Sequence, residues 1–231
     1  MGYKVLVVED EDSIRKFVKI NLEREGFEVF EAGSGEEGLE LASSNDIDIV
    51  ILDLMLPGID GYEVCKRLRD QSEELGIIML TAKSQDLDKI MGLEFGTDDY
   101  MTKPFNPMEL VLRVKSLAKR IDSEGDEDDD AILVYKPFRI DVYSRKFYKE
   151  NKEIVLTPTE FQIAKLFLEN PGKAFRRDEI LNIVWGYDFM GDSKIVDVNI
   201  RRLRSKIEDD SSNPEYIETI WGLGYRWKDS E

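Results

Sequence analysis

Residues 48–58 read DIVILDLMLPG. Ile49, Val50, Ile51 and Leu52 make a short, largely β-branched run closed by Pro57-Gly58, the pattern of a strand buried on both faces of a sheet. Asp53 stands at its end. Aspartate is common in turns, so by itself the stretch fits loop punctuation and a chemical site equally well. The neighbouring runs YKVLVV (3–8), EVFEA (28–32), GIIML (76–80) and DYMTK (99–103) alternate with amphipathic segments at 13–25, 35–43, 61–71, 85–95 and 107–120. Five such βα repeats imply a parallel sheet covered on both faces. The expected fold is therefore an α/β, doubly wound, five-stranded sheet of flavodoxin-like order 2-1-3-4-5. Its crevice lies at the carboxyl ends of the strands, where Asp53 falls.

Composition narrows the function. The 231 residues suffice for two ordinary domains. No stretch approaches the roughly 20 apolar residues that span a bilayer, and the N-terminus MGYKVLVVED enters a strand pattern directly, so a cytoplasmic protein without membrane partners is expected. The lone Cys65 beside Val64 suits a small buried thiol in a reducing compartment. The absence of histidine removes Ser-His-Asp and Cys-His triads, and any phosphate arriving from a histidine must be carried by another protein. The net charge of −17 is unevenly spread: residues 1–120 hold 15 basic and 25 acidic side chains, 121–130 hold none and 7, and 131–231 hold 17 of each. A neutral C-terminal half can still display a basic face.

The acidic DSEGDEDDDA (122–131) repels itself and marks a flexible linker between a domain at 1–121 and another at 132–231. In the second domain, short alternating strands within 132–156 precede three helices and a closing hairpin at 216–228 around Gly222-Leu223-Gly224. Thr157-Pro158-Thr159-Glu160 reads as a capping box opening the first of those helices. The second is expected from about Asp178 to Trp185 and the third from Ser193 to Ile207, a winged helix-turn-helix of α+β class.

In the first domain, Val5-Leu6-Val7-Val8 ends in Glu9-Asp10 much as the third strand ends in Asp53. The assumed order makes these strand ends neighbours. Like charges converge there only around a cation, and hard oxygen ligands favour Mg2+ or Mn2+. Thr81 and Lys103 close two further strands, adding a hydroxyl and an ammonium. That constellation suits phosphoryl transfer with Asp53 as nucleophile.

The motifs VVEDE, ILDLMLPGIDGYEV, LTAK and GTDDYMTKPF resemble the receiver domain of two-component response regulators, and the whole chain resembles the OmpR/PhoB-type subfamily. The resemblance implies a transcription factor, not a classical enzyme, in which Asp53 accepts a phosphoryl group from a histidine kinase and later loses it by Mg-dependent autodephosphorylation. It implies that Glu9, Asp10, Asp53 and the Met55 carbonyl hold the metal, that Thr81 and Lys103 contact the phosphoryl oxygens, and that Lys103-Pro104 is cis. Tyr100 is the implied switch residue. In similar proteins Lys89–Glu109, Asp99–Arg113 and Glu94–Lys115 pair across a phosphorylation-driven homodimer; a local Glu109–Arg113 pair within one helix is the alternative.

In the third C-terminal helix Val196, Ile200, Leu203 and Ile207 form an apolar stripe, so Lys194, Val198, Arg201, Arg202 and Ser205 are expected to face outward. By similarity this helix reads promoter DNA: Val198 and Arg202 on bases, with Lys194, Asn199, Arg201, Arg204, Thr219 and Tyr225 on phosphates or bases nearby. Trp185 and the loop GYDFMGD (186–192) are placed beside the DNA backbone and RNA polymerase, with the core as the other place for Trp185. Arg176 replaces the usual Ser or Thr cap, Asn199 a frequent histidine, and Trp221 the arginine often found at the wing tip. Two other readings compete. A phosphoaspartate hydrolase needs an acid two residues after the nucleophile, where Met55 stands; an adaptor would use the winged helix to bind protein.

Overall fold

The computed structural model describes residues 2–82, 96–121, 132–187, 189 and 191–229. The expected helix at 85–95, with Lys89 and Glu94, and the expected linker at 122–131 lie outside the described residues. The chain divides into two compact units, Met1–Ile121 and Asp122–Glu231.

Unit one holds five parallel strands, β1 (Lys4–Val8), β2 (Glu28–Ala32), β3 (Ile49–Asp53), β4 (Gly76–Thr81) and β5 (Asp99–Thr102), in the order β2-β1-β3-β4-β5. Its described helices are α1 (Asp12–Arg24), α2 (Gly35–Ser44), α3 (Gly61–Gln71) and α4 (Pro107–Ile121). β3 and β4 are buried at every residue because they lie inside the sheet with both faces covered. Val5, Val7, Ile49, Ile51, Ile78 and Leu80 pack against Val18 and Leu22 of α1 and Leu110, Val114 and Leu117 of α4. Gly61 lets α3 start directly against the end of β3, since a Cβ there would stand 2.3 Å from the Asp53 carbonyl oxygen.

Unit two opens with a four-stranded antiparallel sheet, β6 (Ile132–Tyr135), β7 (Phe138–Asp141), β8 (Lys146–Lys149) and β9 (Lys152–Ile154). Helices α5 (Pro158–Glu169), α6 (Arg177–Trp185) and α7 (Lys194–Ile207) follow. A second sheet sets β10 (Ala174–Arg176) beside the hairpin β11 (Ile217–Ile220) and β12 (Gly224–Trp227), in the order β10-β12-β11. The capping box at α5 is present: Glu160 N–H donates to Thr157 Oγ1 (3.3 Å) and Thr157 N–H to Glu160 Oε2 (3.0 Å). At α6 the guanidinium of Arg176 has no acceptor to offer, and only the reciprocal bond forms, Arg176 N–H to Glu179 Oε2 at 2.7 Å.

On α7 one residue expected to face outward, Arg202, and one expected by similarity to reach DNA, Asn199, are corrected. Asn199 is fully buried and Arg202 is 5% exposed. Asn199 Nδ2 donates to Ile195 O (2.9 Å), and Arg202 Nη2 donates to Asn199 Oδ1 (2.7 Å). The Arg202 Nε lies 3.6 Å from Glu160 Oε1 of α5. Four apolar positions suggest a narrow stripe, but the buried Glu160 carboxylate needs positive charge, and Arg202 at the stripe's edge is long enough to supply it.

Candidate functional site

The ends of β1, β3, β4 and β5 converge. Glu9 and Thr81 are fully buried, and Asp53 is 2% exposed. Lys103 Nζ bridges the two acids, 2.6 Å from Glu9 Oε2 and 2.8 Å from Asp53 Oδ2. The exposed Asp10 adds a third carboxylate, and the ligand oxygens of Glu9, Asp10 and Asp53 lie within 4.8 Å of one another. Met55 N–H donates to Asp53 Oδ1 (3.2 Å), which fixes the Asp53 rotamer from the loop beyond it. Lys103 N–H donates to Thr81 O (2.6 Å), and Lys103-Pro104 is cis.

Burial raises the Glu9 pKa; the hydrogen bond from Lys103 opposes this, and the charge of Asp53 adds to it. Burial works against the charged form of Lys103, yet hydrogen bonds to Asp53 and Glu9 and their charges outweigh it and raise its pKa. Lys103 is thus a stable ammonium. A set of three carboxylates suits Mg2+ or Mn2+ in donor type and charge.

Sequence reasoning passes over Arg15, whose Nη1 donates to the backbone oxygen of Glu9 at 2.6 Å while Nη2 pairs with Asp12 at 2.9 Å. It also passes over Arg69, whose Nη2 pairs with the buried Asp98 (2.7 Å) while Nε donates to Gly96 O (2.7 Å). Periodicity marks both as helix residues and says nothing of their reach.

Tyr100 is buried on β5 at 7% exposure. Of the residues expected at a dimer face, Asp99 and Arg113 meet within this chain: Arg113 Nη1 lies 2.9 Å from Asp99 Oδ1, and Nη2 lies 2.7 Å from Glu109 Oε1. Burial opposes the charge of Arg113, but Asp99 and Glu109 together raise its pKa. Lys115 pairs with Glu25, which caps the C-terminus of α1.

On α7, Lys194, Arg201 and Ser205 are exposed and Val198 is half-buried. Arg204 is turned to the hairpin, donating from Nη2 to Thr219 Oγ1 (2.9 Å) and from Nε to Ile217 O (3.1 Å). Tyr225, 5% exposed, donates its hydroxyl to Asp197 Oδ1 (2.7 Å). Burial, followed by that bond and the charge of Asp197, pushes its pKa up to about 12. Trp185 is 2% exposed and packs in the core, whereas Trp221 at the hairpin turn is 92% exposed.

Residues 5–115 match the family described as response regulator receiver domain, and residues 151–227 that described as transcriptional regulatory protein, C terminal. The chain is 44% identical over 233 residues to the alkaline phosphatase synthesis transcriptional regulatory protein PhoP of Bacillus subtilis (strain 168), covering 98% of this chain and 97% of the relative. It is 41% identical over 233 residues to the transcriptional regulatory protein SrrA of Staphylococcus aureus (strain NCTC 8325 / PS 47), covering 99% and 96%. Among solved structures it is similar to the response regulator DrrB of Thermotoga maritima, an OmpR/PhoB homolog, with a TM-score of 0.52 and 35% identity over 99% of this chain and 100% of that one.

The chain belongs to the OmpR/PhoB-type response regulators. This response regulator is a two-component transcription regulator: a receiver domain whose strand ends carry the acidic cluster, followed by a DNA-binding regulatory domain. The receiver implies a kinase partner and the C-terminal domain a DNA partner. Among the described residues no helix is long and apolar enough to cross a membrane.

Proposed function

We propose that Asp53 is the phosphoacceptor of this response regulator, and that its phosphorylation drives receiver dimerisation and promoter binding in the cytoplasm. The observation that carries this reading is the Lys103 ammonium seated on Asp53 and Glu9 with Asp10 beside them. An Asp53 carboxylate oxygen attacks the phosphorus of a kinase phosphohistidine. The new P–O bond forms as the P–N bond breaks, and the electron pair leaves on the imidazole nitrogen, which takes up a proton. Lys103 is placed to neutralise the phosphoryl oxygens, and the buried Thr81 hydroxyl to donate to one of them. Glu9, Asp10, Asp53 and the Met55 carbonyl are the residues that would hold Mg2+ or Mn2+. When bound, the ion supplies charge neutralisation for phosphotransfer and autodephosphorylation.

Lys103 competes with a metal for the same carboxylates. In Lys103→Met the Glu9 and Asp53 charges face each other without the ammonium, so Mg2+ is expected to raise the receiver Tm more than it does in wild type. Calorimetry with and without Mg2+ checks this; an equal or smaller increment contradicts it.

The output step uses the face of β5 and α4. Tyr100 turns further inward as Thr81 is drawn to the phosphoryl group, and the Arg113 that now serves Asp99 and Glu109 of its own chain exchanges partners across a two-fold axis. Lys89–Glu109 and Glu94–Lys115 complete that interface, and RNA polymerase is the further partner of the α6–α7 loop. Beryllofluoride is expected to convert monomer to dimer in sedimentation velocity; an unchanged sedimentation coefficient counts against the dimer.

The DNA face is carried by the exposed Lys194 and Arg201 with Val198 between them. Filter binding to genomic DNA at two salt concentrations tests it: affinity should fall steeply as salt rises, by a log–log slope of about −0.9 per phosphate contacted. A salt-insensitive complex, or none, would favour the adaptor reading.

A further inference from the structure

The turn between β11 and β12 carries an indole that none of the described residues of unit two covers. Trp185 and Trp227 are 2% and 0% exposed, whereas Trp221 is 92% exposed. Turns are ordinarily furnished with polar residues and glycine. Here Leu223 N–H donates to Ile220 O (3.0 Å), and Gly222 takes the left-handed φ of +77° that a tight turn requires, which leaves Trp221 at the tip. A Cβ on Gly222 would meet nothing within 4 Å, so the tip stands in open space.

The hairpin behind the tip is held firmly. A Cβ on Gly224 would lie 2.2 Å from Phe175 O, so β12 is pressed against β10. Arg204 of α7 grips Thr219 at 2.9 Å, and Asp197 of α7 accepts from Tyr225 at 2.7 Å. The tip is therefore mounted on the helix that displays Lys194 and Arg201. The stretch TIWGLG (219–224) contains no charged residue. A wing on a polyanion-binding domain that presents an indole and no cation at its tip cannot act there by charge.

We propose that Trp221 is a specificity-determining wedge: it enters the minor groove beside the α7 site and stacks at a base step, so that the wing reads deformability. Apolar side chains inserted between base steps partly unstack them, and pyrimidine–purine steps yield most easily. This rests on the reading of α7 as the DNA-facing helix. The sequences bound by this chain carry a flexible TA or CA/TG step under the wing.

The test uses the full chain and short duplexes that it selects from a random pool. Because the other two tryptophans are buried, acrylamide quenching of tryptophan fluorescence reports chiefly on Trp221. In the duplex complex the quenchable component disappears. Trp221→Ala binds the selected duplex about tenfold more weakly with an unchanged salt slope, and its own selection loses the flexible step. Trp221→Arg steepens the salt slope by about one instead. If the wild-type chain selects a duplex but Trp221 stays open to acrylamide and Trp221→Ala binds as wild type does, the wedge is wrong while α7 keeps its role. Protection that appears only when RNA polymerase is added overturns it equally, in favour of a protein contact. A chain that selects no duplex removes the α7 reading and the wedge with it.

Discussion

Asp53→Asn is expected to take up no phosphoryl group from a small phosphodonor or from a kinase, and to remain monomeric where wild type dimerises. The substitution keeps the shape of the side chain and removes the ionised oxygen that would attack phosphorus. The fold should tolerate it. The amide that replaces the carboxylate still has an oxygen to accept the Met55 N–H, held at 3.2 Å in the wild-type chain, and Lys103 keeps Glu9 at 2.6 Å as a counter-ion. Removing one of two closely placed negative charges also relieves repulsion on Glu9, whose pKa burial and Asp53 both raise. Intact-mass spectrometry after incubation with acetyl phosphate should show the increment of one phosphoryl group on wild type and none on the variant, with a similar Tm for both. An unchanged increment on the variant would move the nucleophile elsewhere, with Asp10 the first alternative.

The strand ends are readable because strand physics is local. Four consecutive β-branched or apolar residues can only be a buried strand here, and an acid immediately beyond such a run falls on the crevice of a parallel sheet. Glu9 and Asp53 follow from that rule, Thr81 ends a like run, Lys103 follows the shorter DYMT, and all four converge in the structure. Side chains that cross between elements are not readable. Spacing gives the direction of a Cβ but not the destination of a guanidinium several bonds away. Arg113, expected at a surface face, is 6% exposed and bound to its own Asp99. Arg69 and Arg15 serve backbone oxygens, which leave no trace in a pattern of residue types. The burial of Arg202 has the same origin, because it depends on a carboxylate in a different helix.

Glu160→Ala is expected to destabilise the C-terminal unit by about 3–5 kcal/mol, the usual consequence of stripping a buried cation of its partner. Glu160 is 1% exposed and performs three tasks at once. It completes the α5 capping box through Thr157 N–H, it holds Lys206 Nζ at 2.8 Å, and it faces Arg202 Nε at 3.6 Å. All three tryptophans of the chain, at 185, 221 and 227, lie in this unit, so urea unfolding followed by their fluorescence measures its stability without interference from the receiver. Glu160→Gln keeps an acceptor for the cap and loses the charge, so it should fall between alanine and wild type. Combining Glu160→Leu with Arg202→Met removes both charges together and should recover most of the lost stability, as apolar replacements of buried pairs often do. The same double variant decides what Arg202 is for. If Arg202 is a structural cation, as its burial and its bond to Asn199 argue, the double variant folds and still prefers the duplex chosen by wild type. If Arg202 swings out to contact a base, the double variant folds and loses that preference.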